Sequence, residues 1–203
     1  MENQAWVPGP LGVLEAMVSQ SPQAVAWGIV CHPHPLQEGT MNNKVVTTVT
    51  RVWQGLHFNT IRFNFRGVGH SEGQYGETRG EVDDLRAVMA WAAQRQAGLP
   101  WWLAGFSFGS YIVFEMAKEA RVAGLITIAP PVDRFPFQGE TAIDKDTRWG
   151  IIQGQEDEVA LTASTLSWAE GLARPPKTLI LPGAGHFFHG QLLALREAVA
   201  ILS

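Results

Sequence analysis

A chain of 203 residues suffices for one domain with one core, and its make-up of 46% apolar and 17% charged residues excludes a disordered segment. Fifteen basic against nineteen acidic side chains leave a formal charge of −4 with no basic stripe, so a nucleic-acid partner is not expected. No leader-like segment and no apolar run of membrane-spanning length is visible, which gives a cytoplasmic protein without a membrane partner as the expectation.

Short apolar runs alternate with longer one-sided stripes, the pattern of a mostly parallel sheet covered by helices in a three-layer α/β/α sandwich. Pro8-Gly9-Pro10 and Ser21-Pro22 bound residues 11–18, read as an extra antiparallel strand at one edge. Core strands are expected at 24–31, 59–64, 101–105, 122–129, 148–154 and 177–181, several of them continuously apolar as strands buried on both faces should be. Helices are expected between them. Residues 43–55 align Val45, Val46, Val49, Val52 and Trp53; residues 81–93 align Val82, Leu85, Val88, Met89 and Ala92; further helices fall at 110–119, 162–172 and 189–202, the last carrying Leu192, Leu193, Leu195, Ala198, Val199 and Leu202. Cys31, the lone cysteine, ends a core strand and reads as a buried small hydrophobe.

Ligands of open parallel sheets bind beyond the carboxyl ends of the strands, and the polar clusters of this chain fall there. They are His32-Pro33-His34-Pro35, Arg66-Gly67-Val68-Gly69-His70-Ser71, Ser107, Pro130-Pro131-Val132-Asp133, Glu156-Asp157-Glu158 and Gly183-Ala184-Gly185-His186. Ser107 lies at the centre of Gly105-Phe106-Ser107-Phe108-Gly109, a G-x-S-x-G turn between an apolar strand and a helix that would present its hydroxyl as a nucleophile. A serine needs an imidazole to take its proton, and His186, on a short glycine-bearing loop, can reach it. The imidazole needs an acid on its other nitrogen. Asp157 is the better candidate and Asp133 the alternative, with Glu156 and Glu158 as solvated neighbours. The order Ser107, Asp157, His186 is nucleophile, acid, base.

Together with Cys31-His32-Pro33-His34-Pro35-Leu36, Thr40 to Val46 and Arg62 to Gly73, these motifs make the chain resemble the α/β-hydrolase superfamily, within it the small cap-less bacterial hydrolases related to the dienelactone hydrolase and short serine esterase groups. The resemblance covers nearly the whole chain. It implies an oxyanion hole with two backbone donors, one being the N–H of Phe108. Pro33 and Pro35 have no N–H, so His34 or Leu36 supplies the second, and aligning His34-Pro35 with the family's His-Gly pair favours Leu36. Dienelactone hydrolases use cysteine where this chain has Ser107, which turns the expectation towards a small or medium ester or thioester rather than a lactone.

Residues 130–147 leave no room for a cap, so an open cleft is expected, bordered by Leu36, Tyr75, Phe106, Phe108, Val132, Phe135, Phe137, Phe187 and Phe188. His70 and Ser71, in a Gly-rich turn, are expected to hold a rim loop, with Arg66 as a further option for fixing it, and His189, at the start of the last helix, to satisfy a local backbone group or to meet substrate. His32, His34 and His70 lack a carboxylate at ligand spacing, so no metal is expected, and no cofactor. The partner is a small-molecule ester-like substrate, with a homodimer as an option raised by the strand edges and Trp168. An amide or peptide hydrolase on the same residues and a non-catalytic binding module are the competing readings.

Overall fold

The computed structural model describes residues 2–203. Its strands are β1 (Asn3–Gly9), β2 (Gly12–Ser19), β3 (Trp27–Cys31), β4 (Asn59–Phe63), β5 (Trp101–Phe106), β6 (Gly124–Ile128), β7 (Arg148–Gly154) and β8 (Lys177–Leu181). They form one sheet in the order β1-β2-β4-β3-β5-β6-β7-β8, parallel from β4 onwards, with β1 and β2 antiparallel at one edge. Every residue of β3, β4 and β6 is buried, and successive side chains enter opposite layers. In β3, Trp27, Ile29 and Cys31 join one core while Val30 joins the other.

Helices α1 (Lys44–Gly55), α2 (Arg79–Arg95), α3 (Phe108–Glu119), α4 (Thr162–Glu170) and α5 (Leu192–Leu202) cover the two faces. α1 and α5 share one core; α2 and α3 share the other, with Trp168 of α4 packed on it. Asn43 caps α1, its Oδ1 accepting from the Val45 N–H at 2.8 Å. α2 begins two residues before the expected boundary because Glu81 accepts from the N–H groups of Gly76 and Thr78, at 2.8 and 2.9 Å, and fixes the first turn. The predicted apolar faces of α1 and α2 are buried throughout.

Two expectations are corrected. Residues 11–18 do not make a lone edge strand: β2 is preceded by β1, and Gly9 pairs with Gly12 across a two-residue turn. The last helix does not start at His189, because the Gln191 N–H donates to the Phe188 carbonyl in a turn and Leu192 is the first helical residue; Leu193 then faces solvent. Trp168, raised as one basis for a homodimer, is half-buried, donates to the Phe137 carbonyl at 3.1 Å and packs against Phe114, Phe137 and Trp149.

The two ends of the sheet differ in aromatic content. Trp27, Trp101, Trp102 and Trp149 are the first or second residues of their strands, and Trp53, Trp91 and Trp168 lie in the closing turns of helices that run back to the same end. At the carboxyl end two groups of other rings pack, His34 and Phe135 on Phe108, and Phe187 and His186 with Phe106. No helix among the described residues is long and apolar enough to cross a membrane.

Candidate active site

β5 ends at Phe106 and α3 begins at Phe108, so the turn is made by Ser107 alone, at φ 54° and ψ −118°. That conformation is costly for a residue with a Cβ, and two glycines make the surrounding turn possible. A Cβ on Gly105 would collide with the backbone of Gly109, and one on Gly109 would stand 2.6 Å from the His32 carbonyl oxygen. The Ser107 N–H is held by the Ile128 carbonyl at 2.8 Å. Its hydroxyl therefore projects over the rim from a fixed bend.

His186 Nε2 lies 3.1 Å from Ser107 Oγ, and His186 Nδ1 lies 2.9 and 3.1 Å from the two Asp157 oxygens. Because Nδ1 faces a carboxylate it carries the proton, which leaves Nε2 to accept from the serine hydroxyl. Asp157 Oδ1 also accepts from the N–H groups of Val159 and Ala160, at 2.9 and 2.8 Å, so its orientation is set by its own loop. The three side chains are nearly closed off, Ser107 being 9%, His186 7% and Asp157 5% exposed. Phe106 and Phe187 pack against the imidazole, each with its ring centre 5.1 Å away.

Asp133, the alternative acid, is exposed and makes no hydrogen bond to His186 among the described residues; Glu156 and Glu158 are exposed too. His189 is exposed and stacks on Phe187 at 5.8 Å.

The loop after β3 changes the expectation for Leu36. Leu36 is 70% exposed, and its N–H donates to His34 Nδ1 at 3.2 Å, capping a 3-10 turn at Pro35–Gln37. Neither the His34 N–H nor the Phe108 N–H has an intramolecular acceptor among the described residues. His34 and Phe108 thus each carry an open donor at this rim, the latter in the first turn of α3 where helical N–H groups have no partner of their own.

His32 holds that loop from beneath. It is fully buried; its Nδ1 meets the Pro33 carbonyl at 2.6 Å and its Nε2 accepts from the Phe65 N–H at 3.1 Å. Burial pushes its pKa down to about 4, against the pull of the Pro33 carbonyl, so it is neutral. His70 lies elsewhere, its Nδ1 3.1 Å from Glu15 Oε1. Arg66 fixes the loop after β4 by clasping Asp84: Nη2 reaches Oδ1 at 2.7 Å, while Nε and the Arg66 N–H reach Oδ2 at 3.0 Å.

The apolar border is narrower than expected. Phe106, Phe108, Phe137 and Phe188 are buried core residues that support the site from below, because each lies on or beside an element packed against a helix. Leu36 and Phe187 are exposed, and Tyr75, Val132 and Phe135 are half-buried. Sequence reasoning passed over Gln153. This fully buried side chain on β7 donates to Asp157 Oδ2 at 3.2 Å and to the Ala160 carbonyl at 2.9 Å. A polar residue inside an otherwise apolar strand was the available signal.

The sequence model of the serine aminopeptidase family (S33) matches residues 42–143. An alpha-beta serine hydrolase homologue from Coxiella burnetii is 42% identical, with 98% of this chain and 96% of that one covered and a TM-score of 0.92. A lid-less a/b serine hydrolase from Xanthomonas campestris is 36% identical over 99% of this chain and 93% of that one, also with a TM-score of 0.92. An uncharacterized protein of Rickettsia prowazekii is 32% identical, covering 97% of this chain and 86% of its own length.

Proposed function

Because the chain belongs to the α/β-hydrolase superfamily and is similar over nearly its whole length to alpha-beta serine hydrolases, one of them without a lid, we propose that it cleaves a small or medium carboxylic ester or thioester through an acyl-enzyme. The observation that carries this reading is the continuous hydrogen-bonded chain from Ser107 Oγ through His186 to Asp157. Ser107 Oγ bonds to the carbonyl carbon as its proton passes to His186 Nε2. The negative charge that develops on the carbonyl oxygen is met by the N–H groups of Phe108 and His34, donors that need not reorganise; losing one such donor typically costs ~3 kcal/mol at the transition state. The tetrahedral centre then expels the alcohol or thiol, which takes the proton from Nε2. Water, losing its proton to the same nitrogen, cleaves the Ser107 ester and frees the acid.

Ser107→Ala should lower kcat for short p-nitrophenyl esters by at least about 10⁴-fold, and Asp157→Asn by about 10⁴-fold through loss of the required tautomer. A fluorophosphonate should label the native protein at Ser107 and leave Ser107→Ala untouched. Full ester turnover by Ser107→Ala would end the proposal.

A second reading, an amide or peptide hydrolase on the same residues, is favoured by the match to the serine aminopeptidase family. Matched amides and esters of one acid decide between them, since amide cleavage demands fuller protonation of the leaving nitrogen.

A further inference from the structure

We propose that His34, Tyr75 and Phe135 form a subsite for an aromatic ring bearing a hydrogen-bond acceptor, with the Tyr75 hydroxyl as the donor that selects it. This deepens the reading of Ser107 as an esterase nucleophile and rests on it. The subsite begins at the reacting carbonyl, because His34 contributes its main-chain N–H to the rim beside Ser107 and its ring to the wall. The ring centres of His34 and Phe135 lie 4.9 and 5.5 Å from that of buried Phe108 and 6.5 Å from each other, so the three rings pack as one aromatic cluster with Phe108 beneath and His34 and Phe135 above it. Tyr75 extends the His34 side, its ring 5.1 Å from the imidazole, and Phe135 is backed by Tyr111 stacked at 5.2 Å. His34, Tyr75 and Phe135 are all half-buried, so each presents part of its ring outward. Such surfaces hold a planar ring by offset or edge contacts.

The acceptor requirement follows from where the protons are. The Leu36 N–H can only donate, so His34 Nδ1, 3.2 Å away, is the unprotonated nitrogen. The proton of the neutral ring is then on Nε2, which faces Tyr75 Oη at 3.3 Å and donates to it. With its oxygen used as an acceptor, the phenol has its own proton to give, and no side chain or carbonyl among the described residues takes it. Burial, with Glu81 and Glu77 nearby, keeps the Tyr75 pKa above its usual value, so that proton is present at neutral pH. An alkoxy, phenolic or carbonyl oxygen on the bound ring would complete the chain Leu36 N–H to His34 to Tyr75 to substrate.

The test compares ethyl esters of para- and meta-methoxybenzoic acids with the corresponding methylbenzoates, using native protein and Tyr75→Phe. Intrinsic reactivity of the two esters cancels when the methoxy/methyl ratio of kcat/KM is compared between native protein and Tyr75→Phe. That ratio should fall about fivefold for one ring position in Tyr75→Phe, as expected for one lost hydrogen bond. Phe135→Ala should weaken turnover of both aryl esters relative to ethyl acetate. An unchanged methoxy/methyl ratio in a Tyr75→Phe protein that still cleaves both esters would overturn the proposal, as would an unchanged aryl preference in Phe135→Ala. Calorimetric titration of Ser107→Ala with the same esters needs no turnover, so it separates the two readings. Tighter methoxy binding that Tyr75→Phe abolishes, in a protein that hydrolyses nothing, keeps the subsite and rejects the esterase; ester cleavage without that preference does the reverse.

Discussion

Acidification from pH 8 to pH 5 is expected to remove about 2 kcal/mol of folding stability through His32 alone. Its imidazole is fully buried, and burial pushes its pKa down to about 4 from an ordinary 6.5. Between those values the unfolded chain binds a proton that the folded chain refuses. Stability is therefore complete above about 6.5 and declines as pH falls towards 4; at pH 5 the deficit is about 1.5 pH units at 1.36 kcal/mol each. A proton on His32 would also set a donor against the Phe65 N–H, which now donates to Nε2, so the loop that carries His34 would lose its anchor. Urea unfolding across this pH range should show native protein losing more stability than His32→Gln, which has nothing to titrate there, by that amount. Two parallel stability curves would refute the reasoning, as would a histidine NMR titration placing His32 within one unit of 6.5.

Asp84→Ala should cost about 3–5 kcal/mol in chemical denaturation, because it leaves the buried Arg66 guanidinium without its partner, while Arg66→Met combined with Asp84→Leu should recover most of that. A loss below about 1 kcal/mol in the single variant would show that water reaches Arg66 and that the pair does not fix the loop. Gln153→Met keeps similar bulk but removes a donor from Asp157 Oδ2, so the carboxylate that faces His186 is held less firmly. Its kcat/KM for short esters should fall several-fold at unchanged thermal stability; unchanged turnover would remove Gln153 from the positioning of the acid.

What the sequence disclosed follows the strength of the local pattern. β7 and β8 appear with the bounds read from residues 148–154 and 177–181, and the apolar faces of α1 and α2 are as aligned, because a buried stripe leaves a period that nothing else imitates. β1 escaped notice since Pro8 argues against a strand; at a sheet edge its missing N–H costs nothing, and the alternation of Ala5, Val7 and Gly9 against exposed neighbours was the weaker signal. The start of α5 was misplaced because Phe187 and Phe188 continue its apolar run, whereas Phe188, at φ 53°, turns the chain out of register with the helix. At the site, the meeting of Ser107, Asp157 and His186 was legible from motif order and strand ends. The state of the Leu36 N–H was not, since it depends on which way the His34 ring turns, and Gln153 was hidden because its partner lies across a loop that only folding closes.

The segregation of indoles to the far end of the sheet decides what light can report about this molecule. Excitation at wavelengths selective for tryptophan interrogates the base, at the end of the sheet opposite Ser107, and only Trp6, edge-on to His70 at 6.3 Å, stands near the upper loops. Emission should follow global melting with little interference from ligand, whereas occupancy of the mouth would pass almost unseen. A tryptophan introduced in place of Phe187 would give the end that carries Ser107 its own optical signal.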